Sequence, residues 1–237
     1  MSKRNKRKLS AIIIAVVIAG CVWFANESGV LDSFNVSQVS EVSSEDIPEY
    51  QGDMYAEVND NIPEFNDDDN ERLSIKGYEY YSELDYLGRA GMVEACVGEE
   101  TMPTGERGSI GMIKPTGWHT VKYDFVDGKY LYNRCHLLGW QLTGENANEC
   151  NLITGTRSFN VEGMLPFENE VADYIRETGN HVSMRVTPIY SGNDLIARGV
   201  QMEAESVEDD SLKFNVFIFN VEDGVVIDYA TGKSYAE

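Results

Sequence analysis

The sequence predicts one α+β domain, a mixed or antiparallel β-sheet core with helices, and three of its features support that reading. Apolar and polar residues alternate across residues 181–190, where Val182, Met184, Val186 and Pro188 fall on one side, as a half-buried strand requires. Short β-rich runs separated by glycine and proline occupy residues 91–135. A bounded helix signal stands at residues 166–178, with Pro166 suited to the first helical position and Gly179 to the stop. Internal repeats, a glycine-rich phosphate loop and paired-cysteine zinc spacing are all absent from the sequence, in keeping with a single domain of ordinary size.

Taken from the start, Lys3, Arg4, Lys6, Arg7 and Lys8 precede an uncharged run over residues 11–25, AIIIAVVIAGCVWFA, the layout of an export signal or signal anchor. A helix of that length reaches about 22 Å against a bilayer core of roughly 30 Å, and Leu9 and Ser10 can extend it. The small-x-small pattern of a soluble cleavage site is missing before Asn26, whereas Ile18-Ala19-Gly20-Cys21 has the form of a lipoprotein cleavage box with Cys21 as the lipidated residue. An uncleaved membrane anchor and a lipoprotein-type signal stand equally, and both place the remainder outside the cytoplasm. Residues 26–46, rich in Ser, Glu, Asp and Val without periodicity, read as a flexible tether. The folded domain is then 47–237.

Residues 47–73 read as an irregular lead-in, their acidic run 66–71 as a solvated loop. Tyr78, Tyr81, Leu84 and Leu87 have the spacing of a buried helix face, which predicts a helix over 77–88. Strands are expected at 91–97, 109–114 and 130–135, then at 181–190, 195–205 and 212–220, with 225–232 closing the domain. His119, beside Trp118, reads as a packing residue and His181, at a strand start, as a surface residue. Beyond Cys21 there remain Cys96, Cys135 and Cys150, an odd number that allows at most one disulfide.

Chemistry concentrates in residues 132–168, YNRCHLLGWQLTGENANECNLITGTRSFNVEGMLPFE. Asn133-Arg134-Cys135-His136 supplies a base and a guanidinium. Asn151, Asn160 and Glu168 supply carboxamide and carboxylate oxygens of the kind a hard divalent cation prefers. A base, a cation site and a phosphate-binding arginine are the parts that drive water into a phosphodiester. At these residues the sequence resembles the DNA/RNA non-specific endonucleases, the ββα-metal (His-Me finger) nucleases, whose signature is Asp-Arg-Gly-His followed by Asn-x7-Glu. Asn160-Val-Glu-Gly-Met-Leu-Pro-Phe-Glu168 reproduces the second half; Asn133 and Cys135 replace the Asp and Gly of the first, as in an Asn-Arg-Cys-His branch of the family that includes secreted or surface bacterial DNases.

The resemblance implies a Mg²⁺-dependent endonuclease, Mn²⁺ being a possible substitute, that cuts DNA and RNA with little sequence specificity. In it His136 is the general base and Asn160 the metal ligand, while Glu168 accepts hydrogen bonds from water around the ion. Arg134 steadies the phosphate or holds the strand carrying His136, and Asn151 supports its loop rather than ligating the ion; Asn151, Arg157 and Arg107 are also candidate substrate contacts. DNA and RNA are the implied partners, with a membrane contact through the N-terminal segment and no obligate protein partner.

Charge is the objection. Removing residues 1–25 deletes five basic residues and no acidic one, leaving 14 Lys plus Arg against 40 Asp plus Glu, a net of −26. Phosphate binding wants the opposite sign, but catalysis needs only a local positive groove, and Arg134 and Arg157 flank the centre. Two other classes remain: a noncatalytic surface module that binds nucleic acid or a partner, and a thiol enzyme using Cys135 or Cys150. A zinc protease is disfavoured, since no His-Glu-x-x-His occurs.

Overall fold

Val182, Met184 and Val186 are fully buried, and the strand that holds them lies inside the sheet, as the alternation predicts. A computed structural model describes residues 47–237; the export signal, Cys21 and the tether assigned to residues 1–46 lie outside the described residues. The strands are β1 (Tyr55–Glu57), β2 (Glu79–Tyr81), β3 (Val93–Val97), β4 (Tyr132–His136), β5 (Leu152–Thr156), β6 (Val182–Ile189), β7 (Gly199–Ser206), β8 (Lys213–Phe219), β9 (Val225–Asp228) and β10 (Lys233–Ala236). Helices are α1 (Asp67–Leu73), α2 (Trp140–Thr143) and α3 (Leu165–Thr178). Six strands make one antiparallel sheet in the order β1-β8-β7-β6-β3-β2, while β4 with β5 and β9 with β10 form separate antiparallel ribbons. The α+β reading holds. Among the described residues no helix is long and apolar enough to cross a membrane.

One face of the large sheet presents Val93, Ala95, Val182, Met184, Val200, Met202, Val216 and Ile218. Val171, Ala172 and Ile175 of α3 and Cys135 and Ile153 of the β4–β5 ribbon join the same core cluster. Each Val, Ile or Met side chain among them contributes about 1.5–3 kcal/mol on burial. The core thus holds ribbon and helix together.

The opposite face is polar, and that is why the lead-in has structure. Asn66 and Asp69 form a capping box that starts α1, and Asp69 reaches Arg185 of β6 at 2.8 Å. Arg72 meets Glu94 of β3 at 2.9 Å. The acidic run expected as a solvated loop is therefore a helix; Asp69 is buried against the sheet, while Asp67, Asp68 and Glu71 stay exposed as expected.

Three further expectations need correction. No helix covers 77–88: Tyr81 belongs to β2, Tyr86 is 82% exposed, and Asp85 turns the chain by accepting the amides of Leu87 and Arg89 at 2.9 Å. The segment 109–114 is loop rather than strand. His181 is buried rather than on the surface, its Nδ1 2.6 Å from Glu208 and its Nε2 3.2 Å from Glu100. Cys96, Cys135 and Cys150 are all free thiols, so the one disulfide allowed by the count does not form among them.

Candidate active site

The ribbon pairs His136 with Leu152 and Cys135 with Ile153, and the chain then enters a helical run that begins with a wide π turn at Phe159–Met164 and continues as α3. Two strands followed by a helix place both halves of the motif, through Asn133, Arg134 and His136 and through Asn160 and Glu168, around one cavity of about 830 Å³. Its lining includes Arg107, Trp118, Tyr130, Asn133, Arg134, His136, Arg157, Asn160 and Glu168. Three arginines and a single carboxylate line the cavity, a locally positive basin in an acidic molecule.

His136 is 5% exposed and its two nitrogens are distinguishable by their partners. Nε2 lies 2.8 Å from the Asn146 carbonyl, which can only accept, so Nε2 bears the proton. Nδ1 is then the lone pair, and it faces the Arg107 guanidinium at 3.1 Å. Burial holds the imidazole pKa below its ordinary value; the Asn146 carbonyl opposes this and the Arg107 charge adds to it. The residue is a neutral base with a defined tautomer.

Asn160 and Glu168 share a cavity because of the wide turn. Eight residues of regular α-helix would separate them by about 80° around the axis. The π turn, in which the Leu165 amide donates to the Asn160 carbonyl, absorbs one residue and reduces the offset to about 20°. It also lies where Pro166 would otherwise clash with the preceding turn. The helical run is therefore continuous from Asn160 to Glu168, although Pro166 would break a regular helix at this point. Glu168 packs against the Gly139 backbone, where a Cβ would stand 2.6 Å from its carboxyl carbon. Enclosure pushes the Glu168 carboxyl up to about 7, with Gln141 and Arg107 pulling the other way.

Arg134 donates to the carbonyls of Ile113 and, at 3.0 Å, Gly111, and its guanidinium lies 3.9 Å over the Trp118 ring. It ties a loop to the strand while still lining the cavity. Arg157 is paired with Asp127 at 2.9 Å. Asn151 is not brought into the cavity. It is fully buried, accepting from the Leu138 amide at 2.9 Å and donating to the Leu138 carbonyl at 3.0 Å, a clamp on the chain after His136 that leaves nothing for substrate. Asn133 lines the cavity and its Nδ2 is a buried donor without a partner in the protein.

Cys135 does not serve as a nucleophile. It is fully buried against Gly155 and Phe159, and burial pushes its thiol far above the usual range.

The model of the DNA/RNA non-specific endonuclease family matches residues 69–208, more than half of the chain. The chain belongs to that family. This endonuclease-family protein is similar to the structure of NucA from Streptococcus agalactiae with magnesium ion bound, with 26% identity over 76% of this chain and 86% of that one, at a TM-score of 0.66. The metal-free form of NucA aligns over 86% of this chain and 99% of that one, with 24% identity and a TM-score of 0.69. Sda1 nuclease with bound zinc ion shares the fold at 23% identity, covering 79% of this chain and 98% of that one, at a TM-score of 0.65. Cleavage of nucleic acid follows from the family membership.

The motif reading overlooked Tyr130, Tyr132, Trp140 and Gln141, all of which line the cavity. The signal for two of them was available. Strand side chains alternate, so counting back by twos from His136 through Arg134 gives Tyr132 and Tyr130.

Proposed function

We propose that the protein is a divalent-cation-dependent endonuclease that hydrolyses DNA, and also RNA, with little sequence preference. The observation that supports this best is the His136 tautomer: a buried, neutral imidazole turns its Nδ1 lone pair toward a basic cavity that also contains Asn160 and Glu168. His136 takes a proton from the water that attacks phosphorus. Arg107 and Arg134 hold the phosphate, and the unpartnered Asn133 amide is a further donor for a substrate oxygen. No base-edge reader is evident, so phosphate and backbone shape dominate recognition.

The cavity's donors fit a magnesium ion. Among the described residues no three His, Cys, Asp or Glu cluster as a metal cage, and the oxygens of Asn160 and Glu168 suit a hard, largely hydrated cation. Asn160 would hold the ion, and Glu168 would accept hydrogen bonds from its hydration shell. When bound, the ion supplies positive charge against the phosphate and the departing 3′-oxygen. The basic and apolar segment at residues 3–25 supports a site of action outside the cytoplasm, on the cell surface or secreted.

Plasmid cleavage in Mg²⁺, abolished by chelator, tests the proposal. Asn160→Ala should keep the fold and lose most activity, and unchanged turnover at saturating Mg²⁺ would refute the metal assignment.

A further inference from the structure

The cavity continues along the strand beyond the catalytic centre. Tyr132, Arg134 and His136 are alternate residues of β4, Tyr130 lies two residues before it across a bend at Leu131, and all four line the cavity, so they form a track up to about 20 Å long. Tyr132 is buried and its hydroxyl donates to the Gly232 carbonyl at 3.0 Å, so it forms a wall of the track. Tyr130 at the far end is different: its ring is 48% exposed. Lys122, bridged to Tyr130 across a short antiparallel pair, places its ammonium 4.3 Å from that ring's centroid. An exposed aromatic ring and an exposed cation, joined to the phosphate-cleaving centre by a continuous wall, have no role in holding the core.

We propose that Tyr130 and Lys122 form a nucleotide subsite that stacks one unpaired base on the tyrosine ring and pairs the adjoining phosphate with the lysine. The subsite selects strands with exposed bases over intact duplex. This rests on the endonuclease reading above. A stacking ring can engage only a base whose face is free, and base–aromatic stacking is strong and sequence-tolerant. At about 3.4 Å per nucleotide in B-form geometry, and nearly twice that when unstacked, the track spans about three to six nucleotides from His136. One substrate then meets the base and the subsite together.

The test is equilibrium binding of the full chain, in chelator so that nothing is cut, to a fluorescent single strand of about ten nucleotides and to its duplex. Tyr130→Ala should weaken single-strand binding by about ten- to hundredfold and duplex binding much less. Tyr130→Phe, which keeps the ring, should bind like the parent. Lys122→Gln should weaken single-strand binding and reduce its salt dependence. Equal losses on single strand and duplex, or no loss on either, would overturn the subsite. Plasmid cleavage in Mg²⁺ by the same preparation separates the two readings: an inert parent whose single-strand binding still depends on Tyr130 retains the subsite and loses the nuclease.

Discussion

At residue scale, the tautomer of His136 makes a pH prediction with a definite sign. Burial and the Arg107 charge hold its pKa below the ordinary 6.5, and only the neutral form can take a proton. The part of the acid limb of kcat/KM that belongs to His136 should therefore inflect below about 6.5, separate from any limb set by Glu168 at about 7. An inflection clearly above that value would mean that another group controls the limb. His136, Asn160 and Glu168 were legible in the sequence because the spacing of a chemical motif survives folding. Arg107 and Asn146, which set the state of His136, were not legible as its partners. They come from loops distant in sequence, and only the fold brings them to the two ring nitrogens.

At the scale of elements, the joint between ribbon and helix decides the site geometry. Gly155 leaves room for Phe159, which is fully buried where the wide turn meets β5; a Cβ on Gly155 would stand 2.4 Å from that ring. Phe159→Ala should cost about 3–5 kcal/mol, read as a lowered denaturant midpoint with an unchanged slope. A shift below about 1 kcal/mol would show that the joint tolerates a void. Helix α3 and strand β6 were readable because periodicity, Pro166 and Gly179 act locally. The misread segments failed for different reasons. Tyr78, Tyr81, Leu84 and Leu87 have helical spacing, but the Asp85 side chain captures the amides that a helix would use. Residues 66–71 looked like a solvated acidic loop because the partners of Asp69 and Arg72 lie on strands far along the chain. The wide turn was not read from the sequence, although Pro166 marks where a regular turn would clash.

At the scale of the molecule, a net charge of −26 over residues 26–237 surrounds a cavity lined by three arginines. Long-range repulsion and short-range attraction should partly cancel in DNA binding. With the three arginines of the cavity and Lys122 neutralising at most four phosphates, the slope of log affinity against log salt should be no steeper than about −4. A titration giving about −6 or steeper would show phosphate contacts well beyond these four cations. Composition alone made the charge look prohibitive; the distribution that answers it depends on Arg107, Arg134 and Arg157 converging from separate segments.

The measurement that tests the account most directly is chemical rescue of the base. His136→Gly should leave Asn160, Glu168 and the metal-binding oxygens in place and open a gap of roughly imidazole size. Added imidazole should restore part of the cleavage rate, and the rescue should follow the neutral form of imidazole as pH is varied. A folded, metal-binding His136→Gly protein that cuts DNA at the parent rate without imidazole would show that His136 is not the base.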